Sequence, residues 1–153
     1  MDPVVRYPNR LGLRGWAVGG RWRQERWLFT LHRLTGLGLL GYFLLHVLVT
    51  ATRAELFGGQ ARWDALMGFF RETTLLGLPV FRLGELAVFL AFAFHAFNGL
   101  RLTLLELGWG VGPAEEPVFP YRSSLDVQAP LTFCLMLLAA VLATAGIWNF
   151  FWA

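Results

Sequence analysis

Two uncharged stretches decide what this chain can become. Residues 127–153 contain no Asp, Glu, Lys or Arg over 27 positions, and residues 34–52 contain none over 19. At 1.5 Å per helical residue, each crosses a hydrocarbon layer of about 30 Å. The remainder agrees: 56% of the residues are hydrophobic and only 15% charged, and the mean hydropathy is +0.53. This is the composition of an integral membrane protein, outside the balance of a soluble domain. One cysteine, Cys134, lies inside the last apolar run, which excludes an internal disulfide framework and a cysteine metal cluster. Any metal has to be held by other side chains.

The pattern predicts an all-α integral membrane protein with three spans and a short interfacial helix in the first loop. The first span covers residues 27–52, with Arg33 near its start, where a long side chain snorkels to the headgroups. The second is the least obvious, because Glu85 and Arg101 bracket only fifteen uncharged residues, yet extension to 81–107 reaches spanning length with a charge near each interface. The third covers 128–152. Within the first loop, Trp63, Leu66, Met67 and Phe70 recur at i, i+3, i+4 and i+7, while Arg62, Arg71 and Glu72 lie elsewhere on the wheel, as in a helix lying flat in the interface. Residues 108–126, with three prolines, Glu115, Glu116 and Asp126, form a turn-rich connection.

Residues 1–26 form a separate basic segment with Arg6, Arg10, Arg14, Arg21, Arg23 and Arg26 and no apolar period, ahead of the membrane domain 27–153. Its basic region is too long, and the following apolar run too extended, for a cleaved signal peptide. Nine arginines fall on the N-terminal side of the membrane and four in the first loop, which predicts a cytoplasmic N-terminus and an outer C-terminus in a cytoplasmic (cell inner) membrane. The charge is topological; no nucleic-acid motif is present.

The chain has three histidines, His32, His46 and His95, all in or beside predicted spans. An ionisable group in hydrocarbon is costly, whereas a neutral imidazole that ligates haem iron, with its other nitrogen hydrogen-bonded, satisfies its polarity. The alternative is a histidine hydrogen-bonded to a neighbouring helix. His95 sits mid-span with Gly99 one turn away on the same face, leaving room beside it for a flat macrocycle or for close helix packing. Arg101, near the cytoplasmic end, suits a haem propionate or a quinone head group, or serves as an interface anchor. His46 follows His32 by 14 residues, about 21 Å farther across the membrane. In an antiparallel hairpin its depth differs from that of His95 by about 12 Å, so one haem does not easily use both. Each haem then needs its second axial ligand from another polypeptide. Gly36, Gly38, Gly41, Ala139 and Ala143 read as helix-packing positions.

His32-Arg33-Leu34-Thr35-Gly36, followed on the second span by Phe94-His95-Ala96-Phe97-Asn98-Gly99-Leu100-Arg101 and by Glu106, resembles the cytochrome b membrane-anchor subunit of succinate dehydrogenase. The family pattern is His-Arg-x-Ser/Thr-Gly, then His-x-x-x-Gly-x-Arg with an acid five residues on, carried by three helices. The resemblance covers residues 27–152. It implies His95 as an axial haem b ligand and His32, Arg33 and Arg101 near the propionates or quinone pocket on the cytoplasmic side. A serine that contacts quinone in well-known members stands three positions before the His-Arg pair; Phe29 occupies that place here, with Thr30 beside it, a departure from the pattern. His46 is absent from one-haem members, and its separation of 49 from His95 resembles the first pair of haem histidines in two-haem relatives. One haem b is thus implied, and a second, with His46 as its iron ligand, is the variant.

The expected partners are a second membrane subunit supplying the other axial histidines, an iron-sulfur subunit, a flavoprotein subunit and the bilayer. The basic segment is the expected docking face for the soluble subunits. The implied activity is succinate:quinone oxidoreduction at the level of the complex, or fumarate reduction by the same architecture in reverse. No phosphate loop, nucleophile-base triad or carboxylate pair appears, so the soluble acid is not dehydrogenated on this chain. A haem-free scaffold whose histidines only bridge helices is the rival from another class. A quinol-oxidising two-haem cytochrome b, with histidines 14 apart as in His32 and His46, needs two such pairs and finds one.

Overall fold

The computed structural model describes residues 24–111 and 124–152. The basic segment falls outside the described residues except for its last three, and so does most of the second loop. Three long helices dominate: α1 (Gln24–Ala51), α3 (Val80–Glu106) and α4 (Ser124–Trp152). With 28, 27 and 29 residues they extend about 40 to 44 Å, more than the hydrocarbon thickness, and their apolar windows qualify all three as membrane spans. The protein is a multi-pass all-α membrane protein. Between α1 and α3 come a 3₁₀ turn (Glu55–Phe57), the interfacial helix α2 (Gly59–Glu72) and a two-stranded hairpin, β1 (Thr74–Leu75) with β2 (Leu78–Pro79).

The middle member of the bundle is α3. It packs against α1 and against α4, which share no extensive contact with each other. This explains why so little is buried: on α1 only Leu28, Thr30 and Leu39 lose nearly all their surface, and on α4 only Thr132, Leu135 and Ala139. These α4 residues recur at i, i+3 and i+7, so one narrow stripe faces the neighbour and the remaining apolar surface faces outward. Gly146 extends the stripe, since a Cβ there would collide with the Phe89 ring. Gly38 and Gly41, by contrast, have open space where a Cβ would stand, so within this chain only Gly36 serves close packing on α1. Cys134 is exposed on the outward face of α4.

Helix α2 presents the stripe expected of it. Trp63, Leu66, Met67 and Phe70 are partly covered, and the Phe70 ring meets Phe81 at the start of α3 with centroids 4.4 Å apart. The hairpin that follows was not expected. Leu76 and Gly77 both take positive φ, 54° and 77°, which makes the two-residue turn whose twist suits paired strands. Leucine is an uncommon occupant of a left-handed position, and this is why the sequence carries no turn signal beyond the glycine.

Replacing Gly146 by Leu should displace Phe89 and lower stability by about 1–3 kcal/mol, the usual cost of overpacking. The thermal midpoint of the purified complex in detergent measures this, with Gly41→Ala as the substitution expected to leave it unchanged.

Candidate functional site: a histidine stack between α1 and α3

The first half of α1 and the second half of α3 meet through a reciprocal exchange. His95 of α3 lies over Gly36 of α1, where a Cβ would stand 2.9 Å from its Cε1, and His32 of α1 lies over Gly99 of α3, where a Cβ would stand 3.3 Å from its Cε1. Each helix contributes one ring and one gap. The rings stack on each other with centroids 3.9 Å apart and planes 9° from parallel. The space that Gly99 leaves is therefore taken up by His32, and the two histidines that sequence placed on separate duties are in direct contact.

Hydrogen bonds assign the tautomer of His95. Its Nδ1 is 3.1 Å from the backbone oxygen of His32 and 3.1 Å from Thr35 Oγ1. A carbonyl only accepts, so Nδ1 carries the proton. The Thr35 hydroxyl spends its own proton on the Leu31 carbonyl at 2.8 Å, which leaves its oxygen to accept from His95. Nδ1 is thus committed as a donor; of the two neutral tautomers this is the one that leaves the lone pair on Nε2, the arrangement in which imidazole ligates a metal. His32 is the complement: its Nδ1 is buried without a hydrogen-bond partner.

One turn below the stack is a group that sequence reasoning passed over. Asn98 is completely buried, its Nδ2 donating to the Leu28 carbonyl of α1 across a long 3.4 Å, and its Oδ1 accepting from Arg101 Nε at 3.0 Å. Arg101 is 2% exposed, so its guanidinium is held inside and does not snorkel outward. The signal was available: an amide three residues before an arginine on a membrane helix places both on one face. Thr30 is buried in the same region, while Phe29 is exposed and carries the Arg33 guanidinium 4.0 Å above its ring.

His46 stays apart. It is exposed, five residues before the end of α1, with the Tyr42 ring 5.7 Å away, and it joins neither His32 nor His95. Among the described residues no three metal-ligating side chains converge. A single axial imidazole needs no such cluster.

Substituting Asn98 by Leu should leave Arg101 Nε buried without its acceptor, at a cost of about 1–3 kcal/mol. Gly36→Leu should separate α1 from α3 by a similar amount. Both are read as a fall in the thermal midpoint of the complex, against an unchanged midpoint for Gly38→Ala.

Residues 18–147 match the family model described as succinate dehydrogenase/fumarate reductase transmembrane subunit. A succinate dehydrogenase hydrophobic membrane anchor subunit from Halobacterium salinarum is 33% identical over 95 residues, 60% of this chain and 67% of that protein. The succinate dehydrogenase 2 membrane subunit SdhC of Mycobacterium tuberculosis is 26% identical over 125 residues, 82% of this chain and 81% of the relative. No solved structure matches. A matched segment that takes in all of α1, α2 and α3 and most of α4 shows that the chain belongs to the succinate dehydrogenase/fumarate reductase transmembrane subunit family.

Proposed function

We propose that this chain binds haem b through Nε2 of His95 and, with a second membrane subunit that supplies the opposite axial histidine, passes electrons from an iron-sulfur subunit to membrane quinone. The observation that carries this reading is the donor bond from His95 Nδ1 to the His32 carbonyl, which holds the ring in the tautomer a metal requires and leaves Nε2 uncommitted. Haem supplies a one-electron relay when bound. The residues present fit it: an imidazole at mid-span whose Nδ1 is held as a donor, and a cationic side chain held inside the protein one to two turns away.

Arg33 and Arg101 act electrostatically. Reduction of a quinone to a quinol takes two electrons and two protons, and negative charge builds on its oxygens before the protons arrive. A guanidinium that donates to such an oxygen strengthens its bond as that charge develops. Arg33, beside Phe29 and Thr30, is the donor assigned to quinone. Arg101, tied to Asn98, offers its remaining donors to a propionate. Electron entry, from a flavoprotein that dehydrogenates succinate or in the reverse direction to fumarate, belongs to the other subunits.

Exposure of His46 on the outer half of α1 favours a second reading, in which it ligates a second haem with a histidine from the partner. A haem-free scaffold would use the His32–His95 stack as a helix clamp and nothing more. Reduced-minus-oxidised spectra and haem-to-protein ratios of the co-expressed complex separate the three. His95→Ala should remove a haem; His46→Ala removes another if there are two and changes nothing if there is one. A wild-type complex without haem would overturn the proposal in favour of the scaffold. Arg33→Leu should lower quinone reduction by about 10²-fold or more, in line with loss of one stabilising donor, while succinate oxidation with an artificial acceptor stays at the wild-type rate.

A further inference from the structure

The opposite end of the bundle holds a second polar recess. The first three turns of α3 and the last two of α4 border a cavity of about 530 Å³, within the size range of small-molecule sites. Arg82, Glu85 and Asn149 supply its polar wall; Phe89, Phe150 and Gly146 supply its apolar part. Arg82 and Glu85 are three residues apart on α3, a spacing at which opposite charges ordinarily pair. They do not pair here. The guanidinium lies 5.0 Å from the Phe150 ring centre instead, and neither Glu85 nor Asn149 makes a hydrogen bond or ion pair among the described residues. A cation, an anion and an amide therefore line one recess, each with its bonding capacity unspent.

Depth narrows the ligand. Arg82 is the third residue of α3 and Asn149 the fourth from the end of α4, level with the stacked Trp148 and Trp152 rings. Aromatic rings of this kind mark the headgroup layer. Beside them, the missing side chain at Gly146 lets the Phe89 ring pack against α4, so that side of the recess is apolar. A ligand that satisfies this wall carries a negative and a positive group a few bonds apart, with an apolar tail. A quinone leaves the Glu85 carboxylate facing a carbonyl oxygen, and an anionic headgroup leaves it facing a phosphate without a counter-ion.

We propose that this recess binds an aminophospholipid, with the phosphate on Arg82 and Asn149, the ammonium on Glu85 and the glycerol end against Phe89 and Phe150. The site is independent of haem and quinone.

The test is native mass spectrometry of the intact complex, co-expressed with its partner subunits and delipidated in detergent, with added phosphatidylethanolamine or phosphatidylglycerol. Wild type should retain one phosphatidylethanolamine more than Arg82→Gln and prefer it to phosphatidylglycerol by about tenfold. Glu85→Gln should retain both lipids equally. Both residues are exposed, and an unchanged thermal midpoint verifies folding of each variant. Equal retention by wild type and both variants, displacement of the lipid by millimolar inorganic phosphate alone, or a partner helix seated in the recess in a density map of the complex would each overturn the assignment.

Discussion

The close crossing of α1 and α3 is the contact on which the rest of the molecule depends. Two glycines let two imidazoles enter from opposite sides, and the backbone of one helix then accepts a proton from the ring of the other. Polarity that would be expensive in lipid becomes an interhelical bond. The same crossing brings the Leu28 carbonyl within reach of Asn98, and Asn98 in turn holds Arg101 inside the protein. Remove the crossing and the donor bond of His95, the clamp on α1 and the buried guanidinium lose their geometry together.

From this point α3 organises the chain lengthwise. Its C-terminal half carries the histidine stack and the Asn98–Arg101 pair against α1; its N-terminal half carries Arg82, Glu85 and Phe89 against α4. The two halves use different neighbours, which is why a helix with charges near both ends still spans. The interfacial helix α2 and the hairpin after it bring the chain back to the start of α3 along the membrane surface, with Phe70 and Phe81 as the point of attachment.

Much of this was legible in the residues. Span number and the α2 stripe follow from spacing, and the presence of His95, His32 and Arg101 in or beside the spans stands in the residues themselves. Boundaries moved by a few residues, as in α4, which begins at Ser124 and runs through Pro130, although an interior proline forgoes one helical hydrogen bond. What could not be read was mutual: hydropathy places His32 and His95 on their helices but does not say that their rings meet, because that depends on the crossing point. Asn98 escaped attention for the opposite reason, as it lacks a charge and reveals its weight only once Leu28 and Arg101 are seen on either side. The β1–β2 hairpin escaped because its turn begins with a leucine.

The C-terminal half of α1 has a separate consequence. Leu40, Phe43, Leu44, Leu45, Val47 and Leu48 are all exposed, and among them His46 sits on a helix that meets α3 chiefly at its other end. For the hydrophobic side chains, lipid and a neighbouring helix are nearly equivalent surroundings; for the imidazole they are not, since only a protein neighbour offers a hydrogen bond or a shared ligand. A copy whose His46 faces lipid thus carries an energetic penalty, concentrated at a single position, that a protein neighbour there removes. Any subunit that covers this stretch is then linked by mass action to the stability of the chain, as a ligand is to the fold that binds it.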